Sequence, residues 1–163
     1  MLHDALNTSS EMTLEEVKDL PILNMIIYES MRICPLIPIL GRLLEEDLSL
    51  QKGLTIPTGT QCLISVYHMH RDEKVWGPNA DEFNPFNFLP EKIAERNTNS
   101  YIPFSTGLRR CLGSSYGLNA TKAILANLIL KYEFKTSAKL NEETIANEFE
   151  GLTFEILERK VKG

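Results

Sequence analysis

The chain has 163 residues, enough for one domain and short for two. With 43% hydrophobic and 24% charged residues it has the composition of a globular protein, and a formal net charge of -5 without a dense basic stripe argues against a nucleic-acid partner. No apolar run approaches the roughly 20 residues that span a bilayer, no signal peptide opens the chain, and Cys34, Cys62 and Cys111 are too few for a disulfide framework, which fits a reducing compartment.

Met1–Asn7 has no evident structural role, and a helical pattern starts soon after it, so the chain reads as beginning in mid-protein. Thr13-Leu-Glu-Glu16 has the form of a capping box opening a short helix to about Leu20, and Pro21 suits the first turn of the next. In that next helix, Pro21 to about Cys34, Ile22, Met25, Ile26 and Ile33 share one face with Glu29 in its middle. Leu23 and Ile27 make the other side apolar as well. A carboxylate in such a core helix costs several kcal/mol unless paired, and Arg32 lies within reach three residues on. Glu29 and Arg32 are therefore expected to form a buried ion pair with a structural role, against the blander reading of an exposed helix salt bridge.

Pro35 and Pro38 end this helix, and Leu36–Leu50 reads as extended and apolar with Arg42 embedded in it. The run from 54 to 67 reads as a β-hairpin turning at Pro57–Gly59. Glu73–Asn99, rich in Pro, Asn and Asp, is expected to be irregular and tied to a core by Trp76, Phe83, Phe86 and Phe88. A long helix is expected from Cys111 to about Phe134, and the tail closes with a strand pair around Leu152–Leu157.

The most chemical stretch is Phe104–Gly113, FSTGLRRCLG. Backbone N–H groups opening a helix and neighbouring arginines favour the thiolate of Cys111. Gly107 and Gly113 let the backbone approach a bulky ligand, Arg109 offers a fork for a carboxylate, and Phe104 offers an aromatic wall. Three readings stay open on these residues: a buried structural cysteine, a nucleophile without an arginine cradle after it, and an axial thiolate to haem iron with Arg109 on a propionate. His68 and His70, sharing one strand face, raise a metal site with Cys111, but a further ligand at zinc spacing is missing.

F-x-x-G-x-R-x-C-x-G in Phe104–Gly113 and E-x-x-R in Glu29–Arg32, with His70-Arg71-Asp72, Trp76-Gly77 and Phe83–Glu91 between them in order, resemble the C-terminal part of a cytochrome P-450, a haem-thiolate monooxygenase. The likeness runs from Thr13 to the end, and is greatest to insect members related to the fatty-acid hydroxylase group. It implies a mainly α fold with small β-sheets (α+β), the proximal-haem part of that fold over 1–163. It also implies haem b (iron protoporphyrin IX) as cofactor, an NADPH-dependent reductase as partner, a lipophilic small-molecule substrate and the cytosolic face of the endoplasmic reticulum membrane.

Carried over by residue, the resemblance makes Cys111 the iron ligand and places Arg109 and Arg42 at the haem propionates. Phe104, Gly107 and Gly113 shape the thiolate loop, and Glu29, Arg32 and Asn87 form a structural lock. Pro35–Leu40 lies where substrates pass, and Arg110 and Lys122 face the reductase. Two departures are visible: Asn87 stands where the family usually has a third lock arginine, and Gly117 where it commonly has alanine. The resemblance implies that the chain corresponds to about the last third of a member, with the membrane anchor, most of the substrate pocket and the long distal helix expected to be missing from it. Its Glu143-Thr144 is no substitute for that helix's acid–threonine pair. The expectation is thus a haem-thiolate monooxygenase lineage, an oxidoreductase, in which this chain alone would be cytosolic and, if it is the whole product, binds haem weakly or not at all and has no monooxygenase activity; the alternatives are a non-catalytic fragment or haem-capturing remnant, and a thiol or zinc protein.

Overall fold

The computed structural model describes residues 11–18, 20–137 and 153–159. Met1–Asn7, Glu143-Thr144 and Leu152 lie outside them. The chain divides into two compact units, one made of the residues up to Ile27 and from Leu112 onward, the other of Tyr28–Cys111. The fold is mixed, with helices and small antiparallel sheets.

In the first unit, helix α1 (Leu14–Lys18) opens on the capping box: the Thr13 N–H donates to Glu16 Oε2 at 2.8 Å and the Glu16 N–H to Thr13 Oγ1 at 3.4 Å. Donation from the Thr13 N–H, and next from the Thr13 hydroxyl at 2.8 Å, holds the Glu16 carboxyl below its ordinary range. Helix α2 (Pro21–Ile33) begins here, and Val17, Leu23, Ile27 and Ala126 are buried. The apolar stripe differs from the one predicted: Ile22, Met25 and Ile26 are only half-buried. The long helix, Ser114–Lys131, packs against α1, and its Asn127 both accepts from the Met12 N–H (3.0 Å) and donates to the Met12 carbonyl (3.2 Å). It starts later than expected, so Cys111 is not part of it, and Phe134 lies in a strand, Tyr132–Lys135, that pairs with Glu155–Glu158. Lys122 is buried within that helix, which corrects its assignment as a charge facing a partner.

The second unit carries the last turn and a half of α2, then β1 (Ile39–Leu43), β2 (Leu48–Ser49), β3 (Thr55–Ile56) and β4 (Gln61–Ser65). The predicted hairpin over 54–67 is corrected. Gly59 does turn the chain, at φ +79°, but β3 pairs with β2 and β4 with β1, so the turn joins strands of two different sheets. In the β1–β4 register Arg42 stands opposite Cys62, on the opposite side of the ribbon from Ile39, Leu43 and Leu63, which are exposed.

Residues 73–99 are not irregular throughout: short helical pieces alternate with turns, the longest of them over 77–84. Asp72 caps a helix at Glu73–Trp76, Pro85 and Pro90 open short turns at Pro85–Phe88 and Pro90–Glu95, and Asn97 caps Thr98–Ser100. Their aromatics form one cluster: Phe88 and Tyr101 rings are 4.8 Å apart, Trp76 and Phe88 5.7 Å, Tyr28 and Phe88 5.6 Å. Trp76 and Phe88 are buried; Phe83 and Phe86 are exposed.

Candidate functional site

Two constellations in the second unit carry the sequence-predicted residues. The first is built on α2. Glu29 and Arg32, one helical turn apart, are both completely buried and joined by two parallel bonds, Nε to Oε2 and Nη2 to Oε1, each 2.8 Å. Arg32 makes three further donations, to the carbonyls of His70 (2.8 Å), Ala80 (2.5 Å) and Glu82 (2.9 Å), so all its N–H donors are used. Glu29 Oε1 also accepts from the Asn84 N–H (2.7 Å) and from Asn87 Nδ2 (3.2 Å). Asn87 thus meets the carboxylate as a neutral donor. The network ties the helix to the segments around 70, 80–84 and 87, which are 38 to 58 residues away in sequence.

His70 and Arg71 brace the same helix end. His70 is buried, its Nε2 accepts from the Ile102 N–H at 3.0 Å, and burial lowers its pKa to about 4; the Arg32 and Arg71 cations act in the same sense against the opposing Met31 carbonyl. Arg71 donates to the Ile33 carbonyl (2.5 Å), pairs with Asp81 (3.1 Å) and lies 3.8 Å over Tyr67. Burial pushes the neighbouring Cys34 thiol up, with Arg71 opposing. Neither histidine is on a strand: His68 lies in the helix Val66–Met69 and His70 caps it. Among the described residues no group of His, Cys, Asp and Glu is arranged to hold a metal ion. The placement of His68 and His70 on one strand face is therefore corrected.

The second constellation is the cysteine loop. Phe104 is half-buried, and its carbonyl accepts from the Cys111 N–H at 2.9 Å, closing the loop on itself. Inside it Ser105 and Gly107 both take the left-handed backbone region, φ +62° and +68°, and Gly107–Arg109 forms a single 3-10 turn. A non-glycine residue there is strained by about 1–2 kcal/mol, so Ser105 must be held. Arg42 holds it: from β1 its Nη2 donates to Ser105 Oγ at 2.8 Å while Nη1 donates to the Gly41 carbonyl. Cys111, Arg109, Arg110 and Leu108 are exposed. Gly113 belongs to the other unit, where its carbonyl accepts from the Gly117 N–H at 2.8 Å.

A model of the cytochrome P450 family matches residues 2–162. The chain belongs to the cytochrome P450 family. It is 46% identical to probable cytochrome P450 313a4 of Drosophila melanogaster over 71% of this chain and 23% of that protein. It is 35% identical to cytochrome P450 4c3 of the same organism, over 83% of this chain and 25% of that protein, and 38% identical to human cytochrome P450 4F2, over 75% and 23%. The chain thus spans about a quarter of the length of the curated relatives it matches.

Cytochrome P450 enzymes are haem-thiolate monooxygenases, and the donor set of the loop fits haem. One exposed thiol cannot hold a free metal ion by itself. It suits iron that arrives with the rest of its ligands already in a macrocycle. Arg109 supplies a cation on the loop, Arg42 supplies one from β1 where it meets Ser105, and Leu108 supplies exposed apolar surface. Ser105 was missed by the sequence reading, as was Arg96, whose guanidinium lies 3.8 Å over Trp76. Their signals are long-range contacts, which no local pattern reports.

Proposed function

We propose that this cytochrome P450 chain supplies the proximal, thiolate-bearing side of a haem monooxygenase site, with Cys111 as the iron ligand. The observation that carries the reading is the exposed thiol in a loop closed by its own N–H to the Phe104 carbonyl and anchored through Ser105 to Arg42. In this reading Arg42 and Arg109 take the haem propionates. Gly107, with no neighbouring atom within 4 Å of where a Cβ would stand, leaves room over the loop backbone, and Phe104 walls it. Gly113, two residues beyond the thiol, leaves the chain there without a side chain. Glu29, Arg32 and Asn87 act away from the cofactor, fixing the segments that carry the loop.

When bound, haem supplies the activation of dioxygen and the insertion of one oxygen atom into an organic substrate. The chain's own residues hold the thiolate, orient the macrocycle through two guanidinium forks and keep the loop from rearranging. Exposed Leu36, Ile37 and Ile39 in the segment after α2 support a lipophilic substrate. Electrons come, on this reading, from an NADPH-dependent reductase, with exposed Arg110 a candidate contact, and the whole protein works at the endoplasmic reticulum membrane. No helix among the described residues is long and apolar enough to cross a membrane.

The test is a haemin titration of the chain followed at the Soret band, for wild type, Cys111→Ala and Arg42→Ala. The reading expects saturable uptake, loss of the thiolate-type spectrum in Cys111→Ala, and weaker uptake with an unchanged spectral type in Arg42→Ala. A folded wild-type chain that takes up no haemin, or takes it up identically without Cys111, rejects it in favour of a non-catalytic role.

A further inference from the structure

The Glu29–Arg32 network poses a charge question that the sequence raises and the structure answers. Where the resemblance leads one to expect a third lock arginine, Asn87 brings only a neutral amide to Glu29 Oε1. Nine residues on, Arg96 reaches back to the same spot: its Nη2 donates to the Asn87 backbone carbonyl at 2.9 Å. Its guanidinium lies 3.8 Å over the Trp76 ring and 5.6 Å from that of Phe88, while Arg32 stands 4.9 Å from the same Trp76 ring. One indole is thus gripped by two guanidinium groups, one of them the lock arginine itself.

We infer that Arg96 is a positioning residue of the lock, supplying through Asn87 and Trp76 the cation that position 87 lacks. The path is continuous. Arg96 Nη2 holds the Asn87 main chain, the Asn87 side chain presents its amide to Glu29, and the Trp76 ring lies against the guanidinium groups of both Arg96 and Arg32. Arg96 is half-buried, and burial lowers its pKa; the Arg32 cation acts in the same sense and the Glu29 carboxylate opposes it. A single arginine at 87 would combine charge and donor in one side chain. Here the donor comes from Asn87 and the charge from Arg96. The inference concerns how this unit is held and stands whether or not haem binds.

Trp76 is the chain's one tryptophan, so its fluorescence reads the grip directly. The experiment compares the full 163-residue chain with Arg96→Gln, Arg96→Lys, Asn87→Arg/Arg96→Gln and Asn87→Met/Arg96→Gln, each by urea unfolding and by acrylamide quenching of Trp76. Arg96→Gln is expected to lower the folding equilibrium constant about ten- to a hundredfold, the order for losing a charge-assisted hydrogen bond and a cation–π contact together, and to raise Trp76 quenching. Arg96→Lys keeps the charge without the fork and lies between. Moving the cation to position 87 in the double variant restores the midpoint, whereas methionine, similar in bulk but uncharged, does not. If Arg96→Gln fails to fold while Asn87→Arg/Arg96→Gln folds, the inference is upheld in its strongest form. It is overturned if Arg96→Gln matches wild type, if arginine and methionine at 87 rescue equally, or if neither rescues.

Discussion

Replacing Arg32 by alanine removes one cation and leaves a buried carboxylate with three abandoned carbonyls. Glu29 and Arg32 are both completely shielded from solvent, so water cannot replace the lost partner without opening the unit. Breaking a buried pair from one side costs about 3–5 kcal/mol. The carbonyls of His70, Ala80 and Glu82 lose the donors that stood at 2.8, 2.5 and 2.9 Å, and a buried polar group left unpaired costs about 1–3 kcal/mol more. Even with partial relaxation the total reaches the about 5–15 kcal/mol that holds a typical domain together. Arg32→Ala is therefore expected to abolish the cooperative unfolding transition of the Tyr28–Cys111 unit. Urea titration followed by Trp76 emission is the assay, since Trp76 is buried in that unit. Arg32→Lys keeps the charge but offers fewer donors, and falls between the two. A cooperative transition for Arg32→Ala at the wild-type midpoint would refute the reasoning, because it would mean that the five donations are worth nothing net.

His70 makes the unit sensitive to acid. Its pKa falls from 6.5 in the unfolded chain to about 4 in the fold, so the unfolded state binds the proton more readily. The neutral ring's contribution is fully present above about 6.5 and is lost as pH falls toward about 4; the difference in urea midpoint between wild type and His70→Gln should vanish over that window, and a pH-independent difference would contradict it. Gly107→Ala meets no neighbouring atom, yet places a Cβ at φ +68°, for a purely conformational cost of about 1–2 kcal/mol. Since the loop is closed by the Cys111 N–H on the Phe104 carbonyl, exchange of that amide should speed up about tenfold while the global urea midpoint stays put. An unchanged exchange rate would show that the loop does not depend on the left-handed backbone at Gly107.

What could be read from the sequence was what lies within one turn or one period. The Thr13–Glu16 box and the approach of Arg32 to Glu29 depend on spacings of three residues, and the apolar setting of α2 signalled that the latter pair lies inside. Strand partners could not be read. Pro57 and Gly59 announce a turn truly enough, but nothing local says that β4 pairs eighteen or more residues back with β1 while β3 pairs with β2. The capping roles of Asp72, Asn84 and Asn97 hide in a segment whose prolines and asparagines look like loop, because the same residues that break long helices begin short ones. Side chains whose partners are distant gave no sign: Arg42 reaches Ser105 across 63 residues, His70 reaches Ile102 across 32, and Arg96 finds Trp76 through the fold alone. Lys122 misled for the converse reason, a charged residue on a long helix that the fold buries.

Carbon monoxide reads the axial ligand of reduced haem directly, and so tests whether Cys111 provides the thiolate. The chain is reconstituted with haemin, reduced, exposed to carbon monoxide and its difference spectrum recorded, beside Cys111→Ala and a Cys34→Ala/Cys62→Ala control. A strongly red-shifted Soret band is expected, surviving the loss of Cys34 and Cys62 and disappearing with Cys111. A haem-loaded, folded chain whose carbonyl spectrum is the same with and without Cys111 would contradict it.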